Sequence, residues 1–149
     1  MSSRKTTSTR SFTALTVRFA DTSFWIGFQV PRDRRHTDAV QLWQQGRSPV
    51  RTSNLVIGET WTWLRRRAGH GAAVRFVEVV QGSKRVSVAV VDESIDERAW
   101  GWLRRHDERS YSYVDATSFE IMRRERIREA LAFDGDFSSA GFVEARPHP

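Results

Sequence analysis

The chain has no cysteine among its 149 residues. That one absence excludes a disulfide scaffold, a thiolate-bound zinc and a cysteine nucleophile. Histidine is scarce and scattered (His36, His70, His106, His148), so a metal site built on imidazoles is not expected. Lysine is scarcer still, with Lys5 and Lys84 alone. No run approaches the roughly 18 consecutive apolar residues of a membrane span, and the expected setting is cytoplasmic. Acid is missing from the first 18 residues, where Arg4, Lys5, Arg10 and Arg18 contribute +4. The rest carries 20 basic against 18 acidic side chains, so the net charge of +6 says little about the folded body. What is present suffices for a core: 39% of residues are hydrophobic, 28% are charged, and the length suits one domain.

Residues 1–14 are polar, rich in Ser and Thr, and without periodicity, and are expected to be disordered. They bear a faint likeness to an organelle transit peptide. The plainer reading, which we prefer, is a start further along, for instance at Val17, because GTG encodes valine and initiates in bacteria. Residues 15–149 form the expected domain.

From Leu15 onward, short apolar runs alternate with helical patterns. LTVRFA reads as a strand and TSFWIGFQ as a helix, with Thr22 or Ser23 as N-cap. Arg35–Gly46 places Ala39, Leu42 and Trp43 on one helical face. VRTS (Val50–Ser53) reads as a strand, and Ser53 caps a helix that stops at Gly69. Ala73, Phe76, Val77 and Val80 form the stripe of the next helix. VSVAVVD (Val86–Asp92) has the continuous apolar character of a buried parallel strand. SIDERAWGWLRRH carries acids in its first turn and arginines in its last, as the helix dipole favours. VDATSFEIMRRERI is helical, and EALAFD and GFVEAR supply two further strands. Strands separated by helices predict an α/β fold with a parallel sheet covered on both faces.

In such sheets ligands bind where strands end and helices begin. Asp21 closes the first strand, Asp134 closes EALAF with Asp136 two residues on, Asp115 opens a helix, and Glu59 lies early in the helix capped by Ser53. Singly, each aspartate reads as a cap or turn residue. Glu59 is harder to dismiss, since Leu55, Val56, Ile57, Trp61 and Trp63 surround it in sequence and an uncompensated carboxylate there is costly. Asp92, Glu93, Asp96 and Glu97 read as dipole complementation on a solvated face. Grouped carboxylates repel, and the usual remedy is a hard cation. An oxygen-only donor set selects Mg²⁺, or Mn²⁺, which activates water and neutralises phosphate oxygens. Phosphate-ester hydrolysis is the natural chemistry, with the hydroxyls of Thr22 and Ser118 as supporting groups.

ADTSFW around Asp21, TSNLVIGETWTWL around Glu59, YSYVDATSF around Asp115 and ALAFDGDFSSAGF around Asp134 resemble, in order and spacing, the four motifs of PIN-domain ribonucleases of the VapC type. The resemblance runs from about Val17 to Pro147. It implies a five-stranded parallel sheet in a three-layer α/β/α sandwich. It matches Asp21, Glu59, Asp115 and Asp134 to the family's acidic quartet, with Asp136 as a frequent fifth member. It also implies Mg²⁺ or Mn²⁺, a homodimer, a VapB-type antitoxin and a structured RNA substrate, either a transfer RNA or the sarcin–ricin loop of large-subunit ribosomal RNA. HDERSYSYVDATSF and FDGDFSSAGF look most like the branch that cuts the sarcin–ricin loop. The chain departs from the pattern in its extended N-terminus and in Ala20, where many relatives have valine.

Arg65–Arg67, Arg104–Arg105 and the cluster Arg123, Arg124, Arg126 and Arg128 are candidate phosphate contacts, the last group foremost. The alternative is dipole complementation at helix C-termini. Trp61 and Trp63, like Trp100 and Trp102, are two apart, so one of each pair is expected in the core and the other against a dimer mate or antitoxin. Base stacking is the secondary reading for them. Two competing functions remain. One is a phosphatase or phosphotransferase with an aspartyl nucleophile, which the lack of a suitably placed lysine disfavours. The other is a non-catalytic binding module.

Overall fold

A computed structural model describes residues 16–149, and the expectations for residues 1–14 lie outside them. Five strands form one all-parallel sheet in the order β3-β2-β1-β4-β5: β1 Arg18–Ala20, β2 Val50–Ser53, β3 Val86–Ala89, β4 Glu129–Leu131 and β5 Val143–Glu144. Seven helices connect them: α1 Thr22–Gln29, α2 His36–Gln45, α3 Asn54–Arg67, α4 His70–Gly82, α5 Glu93–Arg105, α6 Tyr113–Glu125 and α7 Asp136–Ser139. They sort into two packed groups, α1 to α4 and α5 to α7, flanking the sheet as a sandwich requires.

Each group has its own aromatic core. Phe24 and Trp25 of α1 pack with Phe28, Trp43 and Phe76. On the other side Phe119 of α6 meets Trp102, Phe137 and Phe142, and Phe19 of β1 stacks on Phe137. Phe19, Phe24, Trp25, Phe76, Phe119 and Phe137 are completely buried. Such rings dominate the apolar burial and hold both layers against the sheet.

β1 is the central strand. Arg18 stands opposite Val50 on one side and Glu129 on the other, and Phe19 opposite Arg51 and Ala130. The Thr52 hydroxyl donates to the Ala20 carbonyl at 2.9 Å, tying β2 to the last residue of β1 beside the start of α1.

Three local expectations need correction. The apolar run VSVAVVD is not a buried inner strand: β3 is the sheet edge, with Val88 39% and Val90 68% exposed. A continuous apolar run does not distinguish an edge from a centre. The N-cap of α1 is Asp21, not Thr22 or Ser23, and its carboxylate accepts from the Ser23 N–H. β4 ends at Leu131, so Ala132 and Phe133 intervene before Asp134.

Candidate active site

Each acidic residue is aimed by local structure. Asp21 follows β1 directly and caps α1. Its Oδ2 accepts from the Ser23 amide at 3.2 Å and the Ser23 hydroxyl at 3.0 Å. That hydroxyl in turn accepts from the Phe133 amide at 3.1 Å, and the Asp21 amide donates to the Leu131 carbonyl. Ser23 thereby stitches the end of β1 to the segment carrying Asp134. Asp115 is the third residue of α6 in a capping box: its amide donates to the Ser112 hydroxyl at 3.0 Å, and its Oδ2 accepts from the Ser112 amide at 2.9 Å. Asp134 sits in a turn whose Gly135 has φ +85°, a conformation that favours glycine, and its Oδ1 accepts from the Asp136 amide.

These elements converge on one cleft of about 380 Å³, lined by Asp21, Thr22, Glu59, Asp115, Asp134 and Asp136 together with Ser23, Ser112, Ile26 and Trp63. The five acids read from the sequence are thus all brought together. Glu59 enters differently than expected. It is solvent-exposed rather than pressed among apolar neighbours, and it accepts a 2.5 Å hydrogen bond from the Thr22 hydroxyl. Water and the Thr22 hydroxyl together solvate its charge.

The cleft is electrostatically loaded. Asp21, 3% exposed, has its pKa pushed up to about 8, chiefly by loss of hydration and then by the charges of Asp134 and Asp115. Asp115 is pushed up to about 6 by burial, with Asp136 and Asp134 adding to the rise and its Ser112 hydrogen bonds opposing it. Asp134 is also raised, first by desolvation and then by Asp136 and Glu144. Among the described residues no three acidic or histidine side chains already form a closed set of metal ligands. The donor chemistry nonetheless fits a hard divalent cation, because five carboxylates and the hydroxyls of Thr22, Ser23 and Ser112 line the cleft and the carboxylates resist ionising together.

One cation does reach the site, from a residue the sequence reading passed over. Arg109 pairs with Asp136 Oδ1 at 2.9 Å and donates to the Asp134 carbonyl at 3.1 Å. It precedes these partners by 25–27 residues, a separation carrying no local signal. Ser112, also missed, was readable: Ser-x-x-Asp before an apolar run is a capping-box pattern.

Other expected site residues lie elsewhere. The Ser118 hydroxyl is fully buried and donates to the Val114 carbonyl of its own helix at 2.9 Å, so it does not support the acids. A serine inside a helix commonly bonds the carbonyl one turn back, and burial leaves it no other partner. Arg123 and Arg124 stand 8–9 residues beyond Asp115, about 12–14 Å along α6. Arg123 pairs with Glu120 and Arg124 with Asp92. Arg126 ends the helix in a left-handed conformation, φ 58°. Of the tryptophan pairs, Trp102 is buried and Trp100 is 46% exposed, as expected, whereas Trp61 and Trp63 are both half-buried.

A family model described as PIN domain matches residues 18–143. The chain belongs to the PIN-domain family. Within it, the chain is 54% identical over 129 residues to the 23S rRNA-specific endonuclease VapC20 of Mycobacterium tuberculosis, in both the CDC 1551 / Oshkosh and the ATCC 25618 / H37Rv strains. The match spans 87% of this chain and 98% of the relative. The crystal structure of Mycobacterium tuberculosis VapC20, described as a sarcin–ricin loop cleaving toxin, superposes with a TM-score of 0.84 at 52% identity. It covers 89% of this chain and 100% of that one. A toxin–antitoxin complex from Klebsiella pneumoniae superposes with a TM-score of 0.65 at 15% identity, over 86% and 96% of the two chains, and shares the fold. No helix among the described residues is long and apolar enough to cross a membrane.

Proposed function

We propose that this PIN-domain protein is a VapC-type toxin, a divalent-cation-dependent endoribonuclease that cuts the sarcin–ricin loop of 23S rRNA. The observation carrying this reading is the single cleft into which Asp21, Glu59, Asp115, Asp134 and Asp136 converge, in a chain more than half identical to a 23S rRNA-specific endonuclease. Asp21, Asp115 and Asp134 would hold Mg²⁺, or Mn²⁺, with Asp136 beside them once Arg109 releases it. When bound, the cation neutralises phosphate charge and activates water.

The protein's own contribution is positioning. Ser23 and Ser112 each occupy one carboxylate oxygen, of Asp21 and Asp115 respectively, which leaves the other oxygen of each to take a cation. Thr22 fixes Glu59 Oε1, and the second Glu59 oxygen is free to orient the attacking water and take its proton. Water oxygen then bonds to phosphorus, the bond to the leaving nucleotide oxygen breaks, and that oxygen takes up a proton. Unchecked cutting of this kind calls for a partner protein, a VapB-type antitoxin, and a homodimer is the expected assembly.

Mapping new RNA 5′ ends after induced expression tests this. A single dominant end within the sarcin–ricin loop, absent with Asp115→Asn, is expected. Ends confined to transfer RNA would move the substrate. No new ends, with phosphate released from small esters, would favour the phosphatase reading.

A further inference from the structure

Beside the acid cleft runs a second, larger depression of about 690 Å³, between one face of α3 and the start of α6, and it shares Glu59 and Trp63 with the cleft. Along that face stand Leu55, Glu59, Trp63 and Arg66, at helical spacings of four, four and three, with Arg67 alongside. An acid, an indole and a pair of guanidiniums thus follow one another down a helix within about 10–12 Å. The Arg67 guanidinium lies against the Trp63 ring, 5.7 Å from its centroid. The half-buried indole also borders a third, smaller hollow of about 260 Å³ with Arg34, Arg35, Phe133 and Asp134. Trp63 is therefore a wall shared by these three depressions.

This inference rests on the ribonuclease reading above and adds a substrate-binding residue to it: we infer that Trp63 stacks on a nucleobase flanking the scissile phosphate, and that Arg66 and Arg67 receive the phosphate backbone as it leaves the cleft along α3. The occupant is RNA because of charge and continuity. A strand whose phosphate is held at the acids and that leaves along α3 passes Glu59 and meets the Trp63 indole one turn on, with the two cations Arg66 and Arg67 directly beyond it. Aromatic faces accept any base, and arginines take phosphate. The volume is ample for a nucleotide.

The test uses the full-length protein and a synthetic hairpin RNA of the sarcin–ricin sequence, intact or with one abasic nucleotide on either side of the cleaved bond. Wild type is expected to lose roughly 5- to 150-fold in kcat/KM on one of the abasic RNAs, mainly through KM. Trp63→Ala should show a similar loss on intact RNA and no further loss on that abasic RNA, while Trp63→Phe retains most of the preference. The intact-to-abasic ratio does not depend on the fraction of folded enzyme, so partial misfolding of Trp63→Ala does not mimic the result. Equal sensitivity of wild type and Trp63→Ala to the abasic site overturns the inference, as does indifference of wild type to both abasic RNAs. The groove then serves a protein partner. Failure of wild type to cut the intact hairpin at all overturns the ribonuclease reading, and this one with it.

Discussion

Replacing Asp21 by Asn should make the cation-free protein more stable at neutral pH while destroying its activity. The folded state raises the Asp21 pKa from 3.8 to about 8. Between those values the folded protein keeps a proton that the unfolded chain releases, so folding stability falls as pH rises through the window and levels off above about 8. At about 1.4 kcal/mol per pKa unit, the ceiling at pH 7 is ~4 kcal/mol. Relaxation of the cleft reduces this, and roughly 1–3 kcal/mol is expected, a rise in Tm of about 3–10 °C for a chain of this size. Asn retains an oxygen that can accept from Ser23, so the cap of α1 survives. Thermal melts in a chelator at pH 4.5, 6, 7 and 8 check this. The difference between variant and wild type should be near zero at pH 4.5 and grow to a plateau by pH 8. A variant that melts at or below wild type at pH 7, or a difference indifferent to pH, refutes the electrostatic account of the cleft.

Further expectations concern the groups around the acids. Ser112→Ala breaks the capping box and should cost about 1 kcal/mol of stability by thermal melt, with a larger proportional loss of RNA cleavage because Asp115 loses its anchor. Arg109→Ala removes an exposed pair, so stability should change by less than about 1 kcal/mol. The divalent-cation concentration for half-maximal cleavage should fall, because one competing positive charge leaves Asp136; an increase would contradict that role. Thr22→Val should reduce cleavage by removing the donor to Glu59, whereas Ser118→Ala should leave it unchanged, a contrast read in one kinetic assay. Saturating Mg²⁺ should raise the Tm of wild type, by an amount corresponding to ~3 kcal/mol at a hundredfold excess over Kd, and should not raise that of an Asp21→Asn, Asp115→Asn double variant.

The candidate acid set was legible because its members follow strands closely or lie in the first two turns of helices, where chain topology brings distant segments to one edge. The helices were legible from their stripes and caps, down to Ser53 and Gly69. Most of what escaped depends on neighbours remote in sequence. VSVAVVD looks like a core strand because its side chains are apolar, and only strand order reveals that it has one neighbour. Arg109 finds Asp136 across α6 and β4. Ser118 carries suitable chemistry, but a carbonyl one turn back on its own helix takes its hydroxyl. Glu59 fell between, correctly placed but balanced by a hydroxyl that no spacing rule announces.

Incubating the purified protein with a sarcin–ricin hairpin RNA in Mg²⁺, in excess chelator, and in Mg²⁺ with Asp115→Asn tests the carboxylate cleft most directly. One cut with Mg²⁺ and none in the other two reactions is the predicted result. Cutting at an undiminished rate in chelator, or by Asp115→Asn, would contradict it.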